Sequence, residues 1–185
     1  FAQRALEALE EGHAKVDGIV RGEAGELRIG TAPALGAYVL PDLLARYARI
    51  APGVRLVVRT GHSEEVLALG VAGEVDVALI RELHHPQVET RHLYLDELVF
   101  VVPPGHPFAE AGRVPVERIG ETRLVLFDRT SSYYALTSAA FRAAGVAPQE
   151  ILELDNIEAA KQMVRSGLGV ALLPMTAVAG DLSHA

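Results

Sequence analysis

The segment Leu98-Val99-Phe100-Val101-Val102, closed by Pro103-Pro104-Gly105, decides how this chain divides. Five consecutive apolar residues bounded by turn formers predict a short buried strand. Separate series of strands and helices lie before and after it, so the run reads as a strand that leaves one sheet and enters another. Upstream, residues 26–30 (ELRIG), 54–59 (VRLVVR) and 75–80 (VDVALI) read as strands. Between them, residues 35–50 predict one helix, with Leu35, Tyr38, Val39, Leu43, Leu44, Tyr47 and Ile50 on a broad face and Pro52-Gly53 as its stop. Residues 63–71 predict a second helix, ended by Gly73. Downstream, strands are expected at 124–127, 150–154 and 169–173. Helices are expected at 133–144, ended by Gly145, and at 157–166, ended by Gly167. Strands alternating with helices imply parallel sheets with covered faces.

Ahead of this pattern, Ala2, Leu6, Leu9, His13, Val16 and Val20 are spaced 4, 3, 4, 3 and 4 residues apart. That is the rhythm of a coiled-coil seam, and Arg4, Glu7, Glu10, Glu11 and Lys15 fall off it. The spacing predicts a linker or dimerisation helix over residues 1–22, or a surface helix packed on a domain. The expected organisation is this helix, a first α/β lobe over 23–97 and a second over 98–185.

The 185 residues carry a net charge of −7, half of them are apolar, and none is Cys or Trp. Without cysteine there is no disulfide, thiolate metal site or thiol nucleophile. No apolar run approaches the ~18 residues of a membrane-spanning helix. The first residues lack a basic-then-apolar leader pattern. A cytoplasmic protein that does not meet a membrane is expected. Net acidity argues against this piece gripping nucleic acid by itself, since phosphate binding needs clustered Lys and Arg.

In open parallel sheets, ligands bind at the carboxyl ends of strands, where helix N-termini present free N–H groups. Four such places occur: Thr31 after the first strand, Gly61-His62-Ser63 after the second, residues 127–132 (FDRTSS), and Leu154-Asp155-Asn156. Each has a small hydroxyl or an Asn near a helix start. Ordinary N-capping accounts for any one of them, and Asp155 with Glu158 has capping-box spacing. Arg81, past the third strand, is either an exposed charge or a ligand-facing cation. Catalytic signals are weak. GHSEE around Ser63 is not a G-x-S-x-G elbow, no phosphate-binding loop appears, and Gly167-Leu168-Gly169 precedes a strand instead of following one. His84, His85, His92, His106 and His184 lack metal-ligand spacing. No catalytic residue, metal or cofactor is expected.

Several landmarks in this order resemble the effector-binding region of LysR-type transcriptional regulators. They are Gly25-Glu26-Leu27-Arg28-Ile29-Gly30, Leu40-Pro41, residues 61–67 (GHSEEVL), residues 75–80, residues 95–102 with Pro104-Gly105-His106-Pro107-Phe108, and residues 156–164 (NIEAAKQMV) leading into residues 167–174 (GLGVALLP). The match runs from about Gly25 to Pro174. It implies a two-lobed, periplasmic-binding-protein-like α/β fold of type 2 with crossing hinge strands, preceded by a linker helix. It implies a small-molecule coinducer contacted by Thr31, Ala32, His62, Ser63, Thr130, Ser131 and Ser132, with Arg81 and Asn156 as further candidates. It also implies a homodimer or tetramer and promoter DNA read by an N-terminal helix-turn-helix.

Two departures qualify the match. Family members often carry Ser or Thr beside the position of Pro33, where this chain has Ala32 and Ala34. A carboxylate there would rely more on backbone N–H groups. The family also continues past the position of Ala185 with a return strand and a closing helix, so the first lobe is expected to lack part of its sheet. Hydroxyls, His62 and helix N-termini suggest a small anion or carboxylate. The competing readings are a periplasmic-type solute-binding protein and a two-lobed enzyme; the latter lacks a recognisable nucleophile, base or cofactor motif.

Overall fold

The computed structural model describes residues 24–182 except 128, 130 and 149, and for residues 132, 150, 151 and 182 it describes the backbone alone. The helix expected over residues 1–22 lies outside the described residues. The chain divides between His92 and Leu93 into two compact units.

The first unit is built from β1 (Ala24–Thr31), α1 (Pro33–Tyr38), α2 (Leu40–Ile50), β2 (Gly53–Thr60), α3 (Ser63–Val71) and β3 (Val77–Leu79). Its sheet has the order β2-β1-β3 and is parallel throughout. Ile29, Leu40 and Leu79 form its core, with Leu27, Leu35, Val39, Leu44 and Leu56 packed around them. On the opposite face α3 lies very close to β1. A Cβ on Gly30 would stand 2.5 Å from Val66 Cγ1, so only glycine lets this strand and helix approach so far. Arg28 and Asp76 fix the lead-in to β3. The Asp76 carboxylate accepts from the Arg28 backbone N–H at 2.8 Å and from its guanidinium at 2.6 Å, and the Asp76 N–H donates to the Arg28 carbonyl.

The single helix expected over residues 35–50 is two helices. Pro41 supplies no N–H and its ring displaces the preceding turn. The chain therefore breaks at Val39 (φ −114°, ψ −48°) and α2 restarts with Pro41 in its first turn. The restart changes the buried face. Leu40 is buried, whereas Leu43 and Ile50 are exposed.

The second unit comprises β4 (Leu98–Val101), α4 (Val116–Gly120), β5 (Arg123–Phe127), α5 (Ser132–Ala143), β6 (Glu150–Leu154), α6 (Ile157–Arg165), β7 (Val170–Pro174) and α7 (Met175–Leu182). The sheet order is β4-β7-β5-β6. Strands β5, β6 and β7 are parallel, and β4 is antiparallel to β7. The apolar run that opened the sequence reading is thus a half-buried edge strand of a mixed sheet. Period-2 alternation puts one core on each face. Val125, Phe127, Ala171 and Leu173 face Ala160 and Val164 of α6 and Val178 of α7. Leu124, Leu126 and Val170 face Ile119 of α4 and Phe141 of α5. At Gly169 the backbones of β7 and β5 come so close that a Cβ would stand 2.6 Å from the Arg123 carbonyl oxygen. Helices α4 and α7 were not anticipated from the sequence.

Candidate functional site

In the first unit the carboxyl ends of the three strands are laced together by backbone. The Ala32 N–H donates to the Leu79 carbonyl at 3.0 Å, joining β1 to β3. The Gly61 N–H donates to the Thr31 carbonyl at 3.1 Å, joining β1 to β2. Thr31 is fully buried and its hydroxyl donates to the Ala32 carbonyl. This bond holds the strand end. Ala32 is the N-cap of α1 and brings no capping side chain, as its methyl group dictates.

His62 is the N-cap of α3 and forms a capping box with Glu65. The Glu65 carboxylate accepts from the His62 N–H at 2.9 Å. Ser63 opens the helix and is buried. Glu64 and Glu65 put two carboxylates in the first turn, where the helix dipole favours them. Glu64 pairs with Arg81. Its carboxyl lies below the usual range, chiefly because its own backbone amide binds the charged form; Arg81 adds to this and partial burial opposes it. The Arg81 guanidinium is thus paired to the start of α3. His62, Ser63, Glu64 and Arg81 come together at these strand ends.

In the second unit Ser131 is the N-cap of α5, and its Oγ accepts from the Tyr133 N–H at 3.2 Å. Ser132 is the first residue of that helix, and Thr130 lies outside the described residues. Asn156, not Asp155, caps α6. Asn156 Oδ1 accepts from the Ala159 N–H at 3.0 Å, so the capping register sits one residue later than the Asp155–Glu158 spacing suggests. Both caps stand at carboxyl ends of parallel strands, β5 for Ser131 and β6 for Asn156. The ring of Tyr133 packs 5.5 Å from that of Phe127. Its phenol is pushed up to about 12, first by burial and then by the neighbouring Asp96 and Tyr94, so it is a neutral O–H donor at physiological pH.

Two arrangements were missed by sequence reasoning. Asp96, just past the division between the units, caps α7. Its carboxylate accepts from the Thr176 hydroxyl at 2.6 Å, the Thr176 N–H at 3.3 Å and the Glu97 N–H at 3.0 Å. Lys161 is buried on α6. It donates to the Ala177 carbonyl at 2.9 Å and to Glu158 at 3.1 Å, and pairs with Asp181 at 2.8 Å. Asp181 also binds Arg165 at 2.6 Å.

His106 packs beside an aromatic ring, and His84 and His85 lie at the surface. His106 Nδ1 accepts from the Phe108 N–H, and its ring meets Phe108 edge-on at 5.0 Å. His84 and His85 line a shallow recess of about 420 Å³ on the segment after β3, with Pro86, Val88 and Thr90. Among the described residues, no group of three or more His, Asp or Glu side chains is arranged to hold a metal ion, and no helix is long and apolar enough to cross a membrane.

Comparisons with known proteins agree on one family. A family model described as LysR substrate binding domain matches residues 21–185. A probable RuBisCO transcriptional regulator of Cyanidioschyzon merolae is 31% identical over 191 residues, covering 98% of this chain and 62% of that protein. A probable hydrogen peroxide-inducible genes activator of Mycobacterium avium is 33% identical over 189 residues, covering 99% of this chain and 60% of that protein. This chain thus spans about three fifths of the length of these relatives. Among solved structures, the BenM effector-binding domain with its effector benzoate superposes with a TM-score of 0.71 at 21% identity, covering 82% of this chain and 71% of that one. Its fold is the two-lobed, type 2 periplasmic-binding-like α/β fold expected from the sequence. The match over residues 21–185, the α/β units and the caps at the strand ends lead to one assignment: this chain belongs to the LysR substrate binding domain family.

Proposed function

We propose that this chain is the effector-sensing part of a LysR-type transcriptional regulator and that it binds a small anionic molecule reversibly. The observation that carries the reading is the family match over residues 21–185. The polar groups at the strand ends within each unit support it. In this proposal Thr31, Ala32, His62, Ser63 and Arg81 serve the ligand from a first lobe over residues 23–97. Thr130, Ser131, Ser132 and Asn156 serve it from a second lobe over 98–185. Residues 1–22 form the linker helix of a cytoplasmic homodimer or tetramer that meets promoter DNA through an N-terminal helix-turn-helix. Effector binding shifts a population of states, which requires different affinities for those states. The chain carries no catalytic role in this reading.

One relative is named for a response to hydrogen peroxide. A thiol-based response requires cysteine, and these 185 residues contain none. The proposal is therefore a non-covalent effector, not oxidation of a thiol within this stretch.

A thermal-shift screen of small organic acids tests the reading. An acid that raises the melting temperature should bind more weakly to Ser63→Ala and Ser131→Ala, by about 1 kcal/mol for each hydrogen bond lost. Ser131→Ala should also lower stability by about 1 kcal/mol, because it removes the cap of α5. Binding measured by calorimetry that is identical in wild type and both variants overturns the site assignment.

A further inference from the structure

Resting on that reading, we infer that Glu64 is a built-in competitor for Arg81: the chain's own carboxylate holds the guanidinium that an anionic effector takes over.

The geometry supplies a cation, a stand-in anion and a second place for that anion. Arg81 follows β3 by two residues, and Glu64 is the second residue of α3, which follows β2. The pair therefore bridges two strand ends at the proposed site. Three other arginines on the strands of this unit pair away from the strand ends' helix starts: Arg28 with Asp76, Arg55 with Glu26 and Arg59 with Glu74. Arg81 is bound by a residue of the site itself. Both partners are accessible, with side chains 42% and 60% exposed. An exposed pair of this kind is weak, because water screens it and two flexible chains must be ordered to make it. A ligand carboxylate can thus displace Glu64 at small cost. Glu64 does not lose its only support on leaving, since its own backbone amide and the first turn of α3 still favour its charge. Glu65, one residue on, is engaged with the His62 N–H instead. The two neighbouring carboxylates therefore have separate roles.

The consequence is selectivity. A neutral ligand that displaces Glu64 leaves the Arg81 guanidinium without a counter-charge and gains less from it. A carboxylate, sulfonate or phosphate replaces the lost charge, because it makes a charge-assisted contact with the guanidinium in place of Glu64. Binding of the anion should release Glu64 toward solvent.

The test needs no knowledge of the natural effector. Inorganic sulfate is titrated into ¹⁵N-labelled protein at fixed ionic strength while the Arg81 Nε–H resonance and the α3 amides are followed by NMR. Sulfate should move the Arg81 resonance in the wild type. Glu64→Gln should bind sulfate about twofold to fivefold more tightly, the factor an exposed ion pair can impose. Arg81→Gln should abolish the response of the α3 amides, and Glu65→Gln should leave the affinity unchanged. Equal affinity in wild type and Glu64→Gln overturns the inference. So does an equal gain in Glu65→Gln, which would mark a general field instead of competition for Arg81, and so does an Arg81 resonance that sulfate moves in neither protein. Loss of binding in Arg81→Gln without a gain in Glu64→Gln removes the competitor and leaves the effector reading standing. Failure of every organic acid in the thermal screen removes the effector reading itself.

Discussion

Replacing Lys161 with Met isolates the contribution of one buried charge. Met keeps most of the apolar stem between Ala160 and Val164 and removes the ammonium. Three interactions go with it: the hydrogen bonds to the Ala177 carbonyl and Glu158, and the ion pair with Asp181. The carboxylates are not stranded, because Glu158 is 55% and Asp181 36% exposed, and Asp181 keeps Arg165. The Ala177 carbonyl loses its buried donor. Breaking a fully buried ion pair costs about 3–5 kcal/mol. With solvent and Arg165 relieving the acids, the cost here falls to about 1–3 kcal/mol, set mainly by the lost hydrogen bonds of the ammonium. For a domain of this size that lowers the melting temperature by about 2–10 °C.

The pH dependence gives a second check. Asp181 is held below its usual pKa, mainly by its hydrogen bond to Lys161. A depressed carboxylate contributes stability that is present above its unfolded pKa and lost as pH falls through the folded one. Lys161 is raised from 10.5: burial works to lower it, but its bonds to Asp181 and Glu158 outweigh that. Its contribution is present below the unfolded pKa and lost as pH rises through the folded value. The gap between wild type and Lys161→Met should therefore be widest near neutrality. It should narrow below about pH 4 and above about pH 10.5. Urea melts from pH 3 to 8 measure the acid limb. A variant as stable as the wild type at pH 7, or a gap that stays constant down to pH 3, refutes the reasoning.

Two further outcomes follow from the packing. Gly30→Ala forces a methyl group to within 2.5 Å of buried Val66 and should destabilise by about 1–3 kcal/mol. Combining it with Val66→Ala in a double-mutant cycle should recover part of that loss, because the new methyl occupies the space vacated. Asp96→Ala should speed hydrogen exchange at Thr176, Met175 and Glu97, whose contacts hold the start of α7. Thr176→Val should reproduce part of the effect, and unchanged exchange at all three amides in both variants contradicts the capping role.

The parts of the fold visible in the sequence were those marked by local signals. Strand β7 lies between Gly169 and Met175, is apolar throughout and buried except at Leu172, and was placed within one residue. Strand β6 and helix α3 were placed at their observed ends. The errors have physical causes. The apolar rhythm of residues 35–50 continues in phase across Val39, so periodicity joined two helices that Pro41 separates. Helix α7 follows β7 directly, with Pro174 where a capping side chain would stand. Its cap is Asp96, 80 residues away, and no window of sequence contains both. Lys161 falls on the apolar stripe formed by Ile157, Ala160 and Val164, where a charge looks like a break in the pattern. Its partners Ala177 and Asp181 belong to the helix that was not anticipated. At the strand ends, His62, Ser131 and Asn156 were legible because caps and ligand donors are the same residue types in the same place. The same overlap left their role undivided between capping and binding. Arg81 was ambiguous because its partner, Glu64, lies across a strand connection.

In the proposed function this domain holds a small acid with the polar groups at the carboxyl ends of its strands. The most direct measurement is a backbone NMR titration of wild-type protein with the organic acid that most raises its melting temperature. The largest shifts should fall at Ala32, His62, Ser63, Ser131 and Asn156. Shifts concentrated in the recess around His84 and His85, with those strand-end amides unmoved, would contradict it.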